Sequence, residues 1–106
     1  MIACIIEFRV RPGMEARHQE VLLPLLDKID GEDGFIAKET YEHIRRPGEL
    51  LTLSWWRDQA ALDAWMRDRD HLVAIRAGKS EIFSDYRIRL AEVTLDKSWT
   101  ASAAKT

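Results

Sequence analysis

Cysteine is nearly missing from this chain, with Cys4 the only one. One thiol cannot close an internal disulfide, and no Cys/His spacing matches a structural zinc site. Long apolar runs are missing too. Stretches such as Val21–Leu26 fall far short of the ~18–20 residues that span a bilayer. No basic stretch precedes the first apolar residues, and no signal-cleavage pattern follows them. Neither sign of charge dominates. Sixteen Lys and Arg against eighteen Asp and Glu leave a net charge of −2, which draws the molecule neither to nucleic acid nor to an anionic membrane. There is no nucleotide-binding glycine loop, no nucleophile elbow and no metal-ligand spacing. These absences lead to the expectation of a reduced, cytoplasmic protein with no membrane span and no nucleic-acid partner. What is present is an ordinary globular composition, 46% hydrophobic and 32% charged over 106 residues. That length suits one domain hiding roughly 60–68% of its unfolded surface. The excess that needs placing is four tryptophans.

The first apolar segment, Ile2 to Val10, alternates. Ile2, Cys4, Ile6, Phe8 and Val10 are all apolar, while Ala3, Ile5, Glu7 and Arg9 turn polar toward the end. That pattern predicts a central strand with one core face and one mixed face. Arg11-Pro12-Gly13 breaks it. Met14, His18, Leu22, Leu25, Leu26 and Ile29 then recur at helical steps, with Pro24 expected to kink or break the helix. A second strand is expected over Phe35–Ile44 and a third over Glu49–Arg57. The short turn Arg45–Gly48 makes them an antiparallel hairpin. Asp58 is a plausible N-cap for a helix from Gln59 to about Arg69. A further helical stretch is expected from Leu72 to about Phe83, and a last strand from about Asp85 to Leu95. The order β-α-β-β-α-β predicts an α+β, ferredoxin-like plan, an antiparallel sheet with helices on one face. Residues 1–95 form the domain and 96–106 a polar tail. The first and third strands carry apolar residues on both faces, so the uncovered sheet face predicts a homodimer through sheet faces.

Several stretches, in this order, carry a resemblance. They are Arg11-Pro12-Gly13-Met14-Glu15, Glu32-Asp33-Gly34-Phe35, Ser54 to Trp65, the later His71, and Asp85-Tyr86-Arg87-Ile88-Arg89. Over about residues 2–95 the chain resembles the antibiotic biosynthesis monooxygenase family. The resemblance implies a dimeric α+β barrel with a pocket between each sheet and its own helices. Its members include cofactor-independent oxygenases of aromatic polyketides, haem-degrading enzymes and quinol-handling proteins. The haem-degrading members carry a Trp that matches Trp65, an Asn on the first strand and a His about three turns past the Trp. Here the latter two positions are Glu7 and Ile75.

Each candidate has a structural and a functional reading. Trp65 can pack the core or wall a pocket for a flat ring. His71 can cap a helix end, or act as a base near neutral pH, since an ordinary imidazole titrates at ~6.5. His18 lies on the buried stripe of the first helix and can be a satisfied core histidine or point into a pocket. Glu7 can pair with Arg9, Arg87 or Arg89, or stand alone as an acid or base. Arg76 and Lys79 can sit on a solvated face, or turn inward to hold an enolate or carboxylate. Tyr86 can pack, or offer a phenol to a substrate oxygen. Trp55 and Trp56 must split between the two sheet faces.

With no motif to hold a flavin or metal, the expected reaction is substrate-driven. A phenol or enol is deprotonated and its anion meets dioxygen in a dry pocket with oxyanion donors. His71 is then the base, Trp65 and one of Trp55 or Trp56 the walls, and Tyr86 or Arg76 the oxyanion donor. The expected ligand is a small aromatic, and no cofactor is expected. The competing expectations are a haem-binding or haem-degrading protein and a non-catalytic ligand-binding dimer.

Overall fold

A computed structural model describes residues 1–101. Its elements run β1 (Ile2–Val10), α1 (Glu15–Ile29), β2 (Phe35–Glu42), β3 (Glu49–Trp56), α2 (Gln59–Met66), α3 (Arg69–Ala77) and β4 (Phe83–Glu92), with one π turn at Gly78–Ile82. The four strands form one sheet in the order β2-β3-β1-β4, every pair antiparallel. The α+β, ferredoxin-like plan is therefore the observed one.

The alternation along β1 sorts its side chains as expected. Cys4, Phe8 and Val10 are buried and Ile6 half-buried, whereas Glu7 and Arg9 are exposed on the opposite face. Register carries the same division across β3, where Cys4 faces Ser54 and Ile6 faces Thr52. Trp56, Ser54 and Thr52 are buried on the helix side. On the other side Ile5, Leu51, Leu53 and Trp55 are only half-buried in the single chain.

Three expectations shift. Helix α1 runs through Pro24 without a break. Pro24 lies on its exposed side, where the lost hydrogen bond leaves a carbonyl that water can reach. The expected second helix ends early. The Asp68 carboxylate accepts from the backbone N–H of Asp70 (2.9 Å) and His71 (3.1 Å) and opens a separate helix there. The third shift is in β2. Its register slips between Phe35 and Ala37, so Phe35 pairs with Trp56, Ala37 with Trp55 and Lys38 with Ser54. Strict alternation would put Phe35 with Ala37, Glu39 and Tyr41. The bulge moves Phe35 to the helix side, with Lys38 and Thr40.

The core has two aromatic centres. One gathers Trp56, Leu62, Trp65, Cys4 and Ile29, and the other Phe8, Val10 and Ile82. In the first, the indole N–H of Trp56 donates to Ser54 Oγ at 3.0 Å, which satisfies a fully buried ring. Gly34 lets β2 start close under α2. Its φ is +83°, and a Cβ there would sit 2.5 Å from that of Ala61. Arg57 fastens the same corner. Its guanidinium donates to both Asp33 carboxylate oxygens at 3.0 Å.

Candidate functional site

Between the two aromatic centres a cleft of about 390 Å³ opens under the helices. Its walls come from every layer. The sheet supplies Ile6, Phe8, Thr52, Tyr86 and Ile88; α1 supplies His18, Val21, Leu22 and Leu25; α3 and the π turn supply His71, Ile75 and Lys79. The lining is mostly apolar, with a few polar groups converging on it, the composition typical of a small-molecule site.

His71 is the most constrained of those polar groups. The Asp68 cap fixes its backbone in the first turn of α3. Its ring stacks on Trp65, centroids 4.8 Å apart and planes 25° from parallel. Trp65 in turn stacks on Trp56 at 6.5 Å, and Phe35 meets Trp56 edge-on at 5.3 Å. The imidazole is thus the last member of a row of rings that begins deep in the core. Its Nδ1 is buried and has no hydrogen-bond partner. Burial lowers its pKa below the ordinary value of 6.5, and the charge of Lys38 pushes the same way. The Asp68 charge and the Trp65 carbonyl oppose them. The balance favours a neutral ring, the form that can accept a proton.

His18 stands across the cleft, edge-on to Phe8 and to Phe83, each at 5.6 Å. Its pKa is also lowered, first by burial and then by Lys38. Tyr86, on β4, is part-exposed at the mouth. Lys79 Nζ lies 5.8 Å from the centre of its ring. The structure therefore gathers His18, His71 and Tyr86 around one cavity.

The other candidates fall elsewhere. Trp65 is 5% exposed and backs His71 without lining the cleft. Trp56 is fully buried in the core, and Trp55 lies on the open sheet face. Glu7 faces that same open side and accepts from Arg89 Nη1 at 2.6 Å, the paired reading of that residue. Arg76 is exposed near the end of α3, outside the cleft wall, while Lys79 three residues on turns toward it. Trp99 is 86% exposed in the tail.

Residue type and spacing alone do not single out Phe83 or Lys38 as site groups. Phe83 closes the cleft beside His18, and Gly78 makes room for it. A Cβ on Gly78 would lie 2.7 Å from the Phe83 ring. Lys38 is half-buried on the helix side of β2.

Of the positions in the haem-degrading pattern, Trp65 is present, Ile75 supplies no ligand and Glu7 lies across the sheet, paired with Arg89. Among the described residues no group of three His, Cys, Asp or Glu could hold a metal ion, and no helix is long and apolar enough to cross a membrane.

Comparison with known proteins gives consistent matches. The family model described as antibiotic biosynthesis monooxygenase matches residues 1–77. Over 94 residues the chain is 33% identical to the jasmonate monooxygenase of Pyricularia oryzae, which covers 89% of this chain and 44% of that one. The chain thus spans less than half the length of this curated relative. In fold it matches a protein from Mycobacterium tuberculosis at a TM-score of 0.81, with 21% identity over 92% of this chain and 98% of that one. It also matches a variant of SnoaB, a cofactor-independent oxygenase from Streptomyces nogalater, at a TM-score of 0.76, with 13% identity over 90% and 94%.

Proposed function

Since the chain belongs to the antibiotic biosynthesis monooxygenase family, we propose that its sheet-to-helix cleft binds a small phenol- or enol-bearing substrate, aromatic, polyketide-like or quinol-type, and oxygenates it with dioxygen, without a cofactor. The supporting observation is the stacked His71, neutral by burial, on an apolar cleft. The relative named a jasmonate monooxygenase and the fold neighbour named a cofactor-independent oxygenase point the same way.

The chemistry follows from these groups. Neutral His71 takes a proton from an acidic phenol, enol or ketone-flanked CH₂. The anion, held in an apolar cavity, transfers electrons to dioxygen, and a C–O bond forms. For a CH₂ substrate the hydroperoxide then loses water, so that R–CH₂–R′ and O₂ become R–CO–R′ and H₂O. One oxygen atom enters the product and the other leaves as water. The substrate supplies all the electrons, so no external reductant is required. Tyr86 and Lys79 at the mouth can donate to the developing oxyanion. The apolar walls keep water from protonating the anion.

Two copies packed sheet to sheet would cover Ile5, Leu51, Leu53 and Trp55 and leave both clefts on the outer, helix-covered sides. The test of function is dioxygen uptake with an anthrone or a quinol, using chelator-treated, flavin-free protein. Uptake that falls about 10²-fold or more in His71→Ala supports the reading. Ligand binding with no uptake would make this a binding protein. A Soret shift with hemin, lost in His71→Ala, would favour haem.

A further inference from the structure

The cleft has a charge pattern that proton abstraction does not account for. None of the eighteen Asp and Glu side chains lines it. Yet three basic side chains line it, and a fourth lies on the same side of the sheet. His18, His71 and Lys79 are in its wall. Lys38 lies outside the wall but on the same side of the sheet, opposite Ser54 and two residues along β2 from Thr40, whose partner Thr52 lines the cleft.

Lys38 is the anomaly among them. The other half-buried lysine, Lys28, is paired with Asp68 and Asp70, and the described cations that enter no ion pair, such as Arg45, Arg67, Arg69, Arg76, Lys79 and Arg87, are all exposed. Lys38 enters no ion pair among the described residues. Its neighbour Glu39 lies on the other face of β2 and takes the Tyr41 hydroxyl instead. Desolvating an ammonium without a counter-charge is costly. Burial accordingly lowers the Lys38 pKa, and the nearby thiol of Cys4 is its only opposing influence. The bulge between Phe35 and Ala37 fixes which face of β2 carries Lys38. Directly beside it the Thr40 and Thr52 hydroxyls bond to each other at 3.1 Å, and Thr52 lines the cleft. A four-carbon stem on that side can carry its nitrogen toward the cavity.

We infer that Lys38 anchors an acidic head group inside this cleft, so that the site selects anions with an apolar body, the carboxylate meeting Lys38 and the hydrocarbon lying between the two aromatic centres. The inference rests on the reading that this cleft is the ligand site, and it narrows the ligand class within that reading. Lys38 is a binding residue here and takes no part in the proton transfer assigned to His71.

The experiment compares 1-naphthoate with its uncharged counterpart 1-naphthalenemethanol by isothermal titration at pH 7 under nitrogen, so that no turnover intrudes. The wild-type protein should bind naphthoate at least about tenfold more tightly, the scale of one charge-assisted hydrogen bond. Lys38→Met should abolish that preference while leaving naphthalenemethanol unchanged, and Lys38→Arg should keep most of it. Circular dichroism checks that both variants fold. Equal affinities in the wild type, or a preference that survives Lys38→Met, would overturn the inference. So would a preference lost only in Lys79→Met. Oxygen uptake without charge preference sinks this inference alone. Charge preference without oxygen uptake sinks only the proposed reaction.

Discussion

Trp65 and His71 form one stacked unit, six residues apart in sequence but on separate helices, α2 and α3. The break between those helices makes the stack possible. Asp68 ends one helical direction and caps the next, which folds the imidazole back over the indole. The pair therefore belongs to both core and cleft, and substitutions should report on both at once.

Trp65→Ala should cost about 3–5 kcal/mol of stability, the range for emptying a buried aromatic site. It should also raise the His71 pKa toward 6.5, because burial is the main cause of its depression. Urea denaturation measures the first and NMR titration of the imidazole the second. A stability loss with an unmoved His71 would mean that the stack does not set its ionisation.

Stability should rise with pH through the histidine range. His18 and His71 both have folded pKa values below the ordinary 6.5. The unfolded chain therefore binds more protons at mildly acidic pH. Their contribution is complete above 6.5 and is lost as pH falls through the folded values. Urea midpoints at pH 7.5 and 5.5 should differ in that direction. His18→Phe should flatten the slope in part, and an unchanged slope would contradict the assignment.

The open sheet face should hold two copies together. Leu53 sits on the central strand β3 opposite Ile5 and is half-buried in the single chain. Leu53→Glu should convert a dimer to a monomer in light scattering at micromolar concentration, with circular dichroism unchanged. A monomeric wild-type protein would remove this expectation.

Gly34→Ala should destabilise by more than the ~1 kcal/mol that an ordinary left-handed glycine position implies. The added methyl must share space with Ala61 as well as adopt φ near +83°. Thermal denaturation checks this, and a neutral result would show that α2 shifts freely away from β2.

The strand-helix order was legible in the sequence because alternation and helical spacing are local signals. The helix-facing set on β1 and the Asp58 cap, whose carboxylate accepts from Ala61 N at 2.9 Å, followed from them. Two features did not. The bulge in β2 reverses the face of Phe35 relative to the residues after it, and hydrogen-bond register is invisible to a periodicity count. Lys38 was overlooked because an unpaired cation is recognised only when all its neighbours are known. At the site, His18 and His71 could be named from residue type and position. The division of the tryptophans needed the fold, since Trp56 fills the core while Trp55 occupies the uncovered face.

The central claim is that neutral His71 takes the substrate proton inside the cleft. Its most direct test is the pH dependence of kcat/KM for oxygen consumption, set beside the NMR titration of His71. The account predicts one acid limb, falling below pH 6.5 at the pKa of His71 and absent, with most of the activity, in His71→Ala. A flat profile, or a His71→Ala variant as fast as the wild type, would contradict it.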